Sequence, residues 1–125
     1  MESVDEKKII VVVEDDPKVA ELIKDVLEIE PDYDPVPVSN GLQALDVIRS
    51  VPASLILLDV RLPGLDGLQL YDMLRADDTT REIPIIFVTA NSDSAAFRSH
   101  NFEHYIAKPF APDELLDQVA AVLQS

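Results

Sequence analysis

The chain contains no cysteine. It can therefore form no disulfide, run no thiolate chemistry and offer no cysteine ligand to zinc. Glycine occurs three times, at Gly41, Gly64 and Gly67, too few for a Gly-rich phosphate cradle. Histidine occurs twice, at His100 and His104, without a helical pattern that would aim the pair at a metal. Positive charge is scarce. Ten Lys and Arg stand against 24 Asp and Glu, a net charge of −14. Such a surface repels DNA phosphates and anionic lipid, so direct nucleic-acid binding is not expected. The longest apolar runs are four or five residues, so membrane insertion is not expected either. The first eight residues are mostly charged and do not read as a secretory signal, which makes the cytoplasm the expected compartment.

What remains is an ordinary globular composition. The 125 residues, 47% of them hydrophobic, predict a single domain over 1–125. Ile9 to Val13 is an unbroken β-branched run, the pattern of a strand buried on both faces of a parallel sheet. Asp16 followed by Pro17 reads as an N-cap and first helical residue. Val19, Leu22, Ile23, Val26 and Leu27 continue at helical spacing up to Pro31. Val36-Pro37-Val38 reads as a short strand at a sheet edge, because its proline lacks a ladder donor. After the Ser39-Asn40-Gly41 turn, Leu42, Leu45 and Ile48 mark a second helix, broken by Pro52. Leu55 to Leu58 is a strand ending at Asp59. A loop with Pro63, Gly64 and Gly67 leads into a helix through Leu68, Tyr71 and Leu74. Ile83 to Val88 is a strand ending at Thr89. A weak helix over 92–99 follows. Tyr105 to Ala107 is a short strand before Lys108-Pro109, and Leu115, Leu116, Val119, Val122 and Leu123 mark the last helix. Five strands alternating with five helices predict a doubly wound α/β fold, flavodoxin-like (βα)5, with a parallel five-stranded sheet in the order 2-1-3-4-5.

Polar residues follow directly on the apolar strands. They are Glu14-Asp15-Asp16, Asp59, Thr89 and Lys108. Singly, Asp16 is better read as a helix cap, Glu14 and Asp15 as solvated acids, Thr89 as a strand-end hydroxyl, Lys108 as a surface lysine and Tyr105 as packing. In the order 2-1-3-4-5, however, the strand ends meet on one rim. Crowded carboxylates repel one another unless a cation compensates, and Mg²⁺ suits an all-oxygen set that leaves room for water. A carboxylate kept ionised in such a site can attack an electrophile and form an aspartyl-phosphate.

Four segments carry a resemblance to a known family. They are Val11-Val12-Val13-Glu14-Asp15-Asp16-Pro17, Leu57 to Gly67, Val88-Thr89-Ala90 and Tyr105-Ile106-Ala107-Lys108-Pro109-Phe110. In order and at strand ends, they resemble the receiver domain of two-component response regulators over about Lys8 to Leu123. The resemblance implies that Asp59 is the phosphoacceptor, with Mg²⁺ as cofactor. It implies that Asp15 is a direct ligand, Glu14 acts through a metal-bound water, and the Arg61 backbone carbonyl is a third ligand. It implies that Thr89 and Lys108 are the switch hydroxyl and phosphoryl-binding lysine, that Tyr105 is the aromatic switch, and that the Lys108–Pro109 bond is cis. The implied phosphodonor is a histidine kinase or histidine phosphotransfer protein, and the downstream protein partner is not named.

Departures also stand out. The stretch from Thr89 to Lys108 is short, Asn101 stands where a glycine is common, and Ala111 replaces a polar cap before Pro112. Arg61 and Asn91 border the implied approach of water to the phosphoryl group, and neither is a carboxylate, so slow hydrolysis is expected. No separate substrate turnover is expected. The alternative is a phosphate-independent interaction module of the same fold, but such modules lose an acid or the lysine, and this chain keeps them. An FMN carrier would need a hydroxyl- and glycine-rich loop where Glu14-Asp15-Asp16 stands. A small-molecule aspartyl-phosphatase would carry an acid where Arg61 stands.

Overall fold

The computed structural model describes residues 7–90 and 104–124. Strand β1 (Lys8–Val13) is the β-branched run. It lies between β2 (Tyr33–Val38) and β3 (Ala53–Leu58), followed by β4 (Ile85–Thr89) and β5 (Tyr105–Ala107), all parallel. The sheet order is β2-β1-β3-β4-β5, the order expected from the sequence. Helices α1 (Pro17–Leu27), α2 (Gly41–Ser50), α3 (Gly67–Ala76) and α4 (Pro112–Gln124) connect or follow the strands. The helix expected over 92–99, with Asn91 and Asn101, lies outside the described residues.

The uniformly apolar strands are explained by two half-cores. Ile10 and Val12 of β1, Leu55 and Leu57 of β3, and Ile86 and Val88 of β4 pack under α1 and α4. Their neighbours Val11, Val13, Ile56, Leu58, Ile85 and Phe87 pack under α2 and α3. Successive side chains point to opposite faces, so a strand covered on both sides must be apolar at every position. A Leu→Ala change in either half would cost about 2–5 kcal/mol. That is a large part of a typical domain's stability.

Strand β2 is longer than the sequence indicated. It starts at Tyr33 and includes Pro35 as well as Pro37. The carbonyls of Asp32 and Val38 accept from the N–H groups of Lys8, in β1, and Glu14, just past it. Even-numbered residues thus face β1, and both prolines present their missing donors to the open edge, where no ladder partner is needed. Helix α1 stops at Leu27, not at Pro31, through turn bonds from Ile29 and Glu30 to Val26 and Leu27. Strand β4 begins at Ile85 and not at Ile83. Leu42 is 63% exposed. The buried stripe of α2 is Gly41, Ala44, Leu45 and Ile48, so Leu42 lies off the core face.

Caps close the helices at the site end. Asn40 caps α2 through Gln43 N–H at 2.8 Å, and Asp66 caps α3 in a reciprocal box with Gln69. Ala111 leaves α4 without a side-chain cap, but Asp113 and Glu114 in its first turn complement the helix dipole. At the opposite end of the sheet, buried Thr80 donates its hydroxyl to the Leu74 carbonyl at 2.7 Å and closes the turn after α3. Glu14, Asp15, Asp59, Thr89 and Lys108 sit at the other rim, at the carboxyl ends of β1, β3, β4 and β5, where α/β sheets place their ligands.

Candidate functional site

Strand β1 delivers Glu14 and Asp15 one and two residues past Val13. The Glu14 N–H donates to the Val38 carbonyl at 3.0 Å, extending the ladder to β2. The Glu14 side chain turns inward and is 4% exposed, whereas Asp15 is exposed. Strand β3 delivers Asp59, whose N–H donates to the Val13 carbonyl at 3.1 Å. Asp59 Oδ1 accepts the Arg61 N–H at 3.2 Å, which folds the loop back over the carboxylate.

Lys108 closes the arrangement. Its own N–H donates to the Thr89 carbonyl at 3.1 Å, so β4 and β5 fix its backbone. Its Nζ donates to Glu14 Oε1 at 2.7 Å and to Asp59 Oδ2 at 3.1 Å. The Lys108–Pro109 peptide is cis, as the resemblance implied. Thr89 ends β4, fully buried, in register with Ala107 of β5. Tyr105 opens β5 in register with Phe87 and is 43% exposed. Arg61 presents an exposed side chain, consistent with a residue at the rim.

The electrostatics follow from burial beside opposite charge. Burial pushes the Glu14 carboxyl up to about 7, and the neighbouring Asp59 carboxylate adds to this. Hydrogen bonds from Lys108 and from the Asp16 N–H oppose it. Burial by itself would lower the Lys108 ammonium. The Glu14 and Asp59 carboxylates outweigh it and hold the group above its ordinary value.

Glu14, Asp15 and Asp59 each present a carboxylate oxygen, all within 4.8 Å of one another. Oxygens bound directly to one Mg²⁺ lie at most about 4.2 Å apart, twice the usual bond length. Three carboxylate oxygens gathered this closely form a hard, all-oxygen set of the kind that suits Mg²⁺. Glu14 is the buried member of the set and is tied to Lys108, while Asp15 is exposed.

Asp16 plays a double part that the sequence showed only by half. Its side chain caps α1 through Lys18 N–H at 2.9 Å, as the Asp-Pro pair indicated. Its backbone N–H also donates to Glu14 Oε2 at 3.1 Å. The second contact is a main-chain one and survives substitution. Asp16→Ala is therefore expected to lower stability by about 1 kcal/mol, the loss of a cap, and to leave the Mg²⁺ dissociation constant unchanged. Urea unfolding and calorimetric titration would check the two halves of that expectation.

Gly41 and Gly67 were legible only as turn residues. Each is the first residue of its helix, and a side chain on either would collide with loop backbone: Gly41 with the Leu65 carbonyl, Gly67 with the Asp59 carbonyl. A glycine where alanine would make a better helix is the signal that marks such positions.

Comparisons with known proteins agree with this geometry. The family model described as response regulator receiver domain matches residues 10–120. The DNA-binding response regulator MtrA of Mycolicibacterium smegmatis is 37% identical over 118 residues, covering 92% of this chain and 50% of that protein. The chain thus spans about half the length of MtrA. The polar-differentiation response regulator DivK of Brucella anthropi is 34% identical over 119 residues, covering 93% of this chain and 96% of that protein. Among solved structures, the receiver domain of a sensor histidine kinase from Pseudomonas aeruginosa superposes with a TM-score of 0.86 at 31% identity, covering 95% of this chain and 99% of that one. That structure holds a magnesium ion in its active site cleft.

Proposed function

The chain belongs to the response regulator receiver domain family, and from that membership we propose that it is a phosphoacceptor switch of a two-component phosphorelay, with Asp59 as the acceptor. The observation that carries the proposal is the meeting of Glu14, Asp15 and Asp59 around one point, with Lys108 reaching both Glu14 and Asp59.

An Asp59 carboxylate oxygen attacks the phosphorus of a phosphohistidine on a kinase or phosphotransfer protein. The new O–P bond forms as the P–N bond breaks, and the imidazole leaves with the electron pair and takes up a proton. A bound Mg²⁺ would neutralise charge on the carboxylates and the transferring phosphoryl oxygens. Glu14, Asp15, Asp59 and the Arg61 carbonyl are the groups that would hold it. Lys108 supplies a fixed positive charge to the phosphoryl group, and the Arg61 N–H steadies the carboxylate that attacks. Phosphoryl transfer is mostly a problem of charge and position, and these residues supply both. The exposed Arg61 guanidinium can lie across the phosphoryl oxygens and slow the entry of water. Asn91, the other residue expected to border that approach, lies outside the described residues.

Thr89 and Tyr105 form the proposed switch. They lie at the site end of β4 and at the start of β5, the two strands that also fix Lys108. A phosphoryl group on Asp59 draws the Thr89 hydroxyl toward it, and the exposed Tyr105 ring then turns in. Inverting such an equilibrium from 1:99 to 99:1 takes about 5.5 kcal/mol of differential interaction, within reach of a dianionic acceptor. Thr89→Ala is expected to take up phosphate as wild type does and to leave the Tyr105 ring resonances where they were. Equal NMR shifts of Tyr105 in both proteins on phosphorylation would count against the coupling.

Among the described residues no helix is long and apolar enough to cross a membrane. We place the chain in the cytoplasm with its histidine phosphodonor, signalling by contact with a downstream protein and turning over no separate substrate. DNA binding is a property of MtrA and, given this chain's net charge of −14, is not carried over. The deciding experiment is an intact mass measurement after treatment with a small phosphodonor and Mg²⁺. A single phosphoryl adduct that base removes supports the proposal, and no adduct overturns it.

A further inference from the structure

We propose that Gly41, on a helix that supplies no ligand, is a positioning residue for the loop that follows Asp59 and carries the Arg61 carbonyl. The inference rests on the phosphoacceptor reading above and deepens it.

A Cβ at Gly41 would overlap the Leu65 carbonyl oxygen and stand 3.0 Å from the Leu65 Cβ. The obstacle is main chain, so no side-chain rotation can relieve it. Helix α2 is not able to retreat. The Val38 carbonyl just before it takes the Glu14 N–H at 3.0 Å. Asn40 caps the helix through Gln43 N–H at 2.8 Å. Ala44, Leu45 and Ile48 are buried beneath it. The loop must therefore give way.

That loop is held just as closely on its far side. The Gly67 N–H donates to the Val60 carbonyl at 2.8 Å, and the Gly67 Cα has no room for a Cβ against the Asp59 carbonyl. Residues 59–67 are thus pinned between the first residues of two helices. Displacing Leu65 at one pin moves the segment that contains Arg61, whose N–H also holds Asp59 Oδ1. Alanine favours a helix over glycine, so a purely local view expects Gly41→Ala to strengthen α2. The contact with Leu65 reverses that expectation and directs the damage to the metal loop.

The test compares the 125-residue wild-type chain, Gly41→Ala and Thr80→Val. The Thr80 variant loses a buried hydroxyl contact at the opposite end of the sheet and serves as a destabilised control. Mg²⁺ dissociation constants are measured by calorimetry, and exchange of the Gly67 amide is followed in chelator. Gly41→Ala should bind Mg²⁺ about tenfold more weakly, the lower end of what a lost outer support costs a metal site, with faster Gly67 exchange. Thr80→Val should unfold at lower urea with an unchanged dissociation constant. A Gly41→Ala protein that is less stable but binds Mg²⁺ like wild type overturns the role of Gly41 alone. Wild type that binds no Mg²⁺ overturns the phosphoacceptor reading with it. If Gly41→Ala does not fold, Mg²⁺ titration of wild type by NMR decides. A Gly41 amide that shifts together with Leu65 supports the proposal, and a silent one overturns it.

Discussion

Asp59→Asn is expected to abolish phosphoryl uptake while the protein stays folded. Wild type treated with a small phosphodonor and Mg²⁺ should gain one base-labile phosphoryl group, and the variant none. The amide has the shape of the acid and keeps an oxygen for the Arg61 N–H, which now lies 3.2 Å from Oδ1. It lacks the negative charge that makes the carboxylate a nucleophile. Lys108 loses a partner at 3.1 Å but retains Glu14 at 2.7 Å. Asp59 is one of the charges that push Glu14 up. Its removal relieves that repulsion, so urea stability in chelator should not fall. An adduct of the same mass on the variant would place the acceptor elsewhere, with Asp15 the first residue to search by peptide mapping.

The second large effect is on stability as a function of pH. Glu14 has an ordinary value of 4.5 and is pushed to about 7 in the folded protein by burial. Between those values the unfolded chain has released this proton while the folded protein holds it. Stability then falls as pH rises. The loss begins near pH 4.5, is complete somewhat above pH 7, and amounts to a cost on the order of 3 kcal/mol. Lys108 acts in another window. Held above 10.5 by Glu14 and Asp59 against the effect of burial, its contribution is present at neutral pH and lost only as pH rises through its folded value. Asp77, held down by the Thr79 N–H and hydroxyl and by Arg49, loses its contribution only near and below its ordinary 3.8. Neither masks Glu14.

Urea midpoints in chelator should therefore decline from pH 5 to pH 7.5. Glu14→Gln, which cannot ionise, should flatten the decline. Saturating wild type with Mg²⁺ at about 100 times its dissociation constant should restore about 2.7 kcal/mol. A midpoint constant across this range in wild type, or a decline that persists in Glu14→Gln, would show that Glu14 is not the group responsible.

Much of this protein was legible before folding. The β-branched run of β1, the Asp-Pro start of α1, the Asn40 turn and the cluster of Leu55 to Leu58 are local signals, and each produced its element. Where local signals compete, they failed by a few residues. Pro35 hid the start of β2: one proline was legible inside a short edge strand, but a second one two residues earlier reads as a break unless its missing donor is known to face outward. Leu42 looked like part of the apolar stripe of α2. Spacing alone does not tell which of two overlapping stripes the sheet covers, and the helix buried Gly41, Ala44, Leu45 and Ile48 instead.

The sequence by itself determined the described elements to within a few residues at their ends, their order, the Asp16 cap and which residues stand at strand ends, since all of these depend on a residue and its near neighbours. The alternation of strands and helices also narrowed the sheet order to a few doubly wound choices, because right-handed crossovers leave few ways to cover both faces. Only the tertiary structure decided that Lys108, 94 residues from Glu14 and 49 from Asp59, reaches both carboxylates. It decided that Glu14 is buried and Asp15 exposed, and that α2 rests its first glycine on the loop carrying Arg61. Those facts are distances of a few ångströms between segments far apart in the chain. They are set by how closely helices pack on a twisted sheet, and no periodicity or local propensity encodes them.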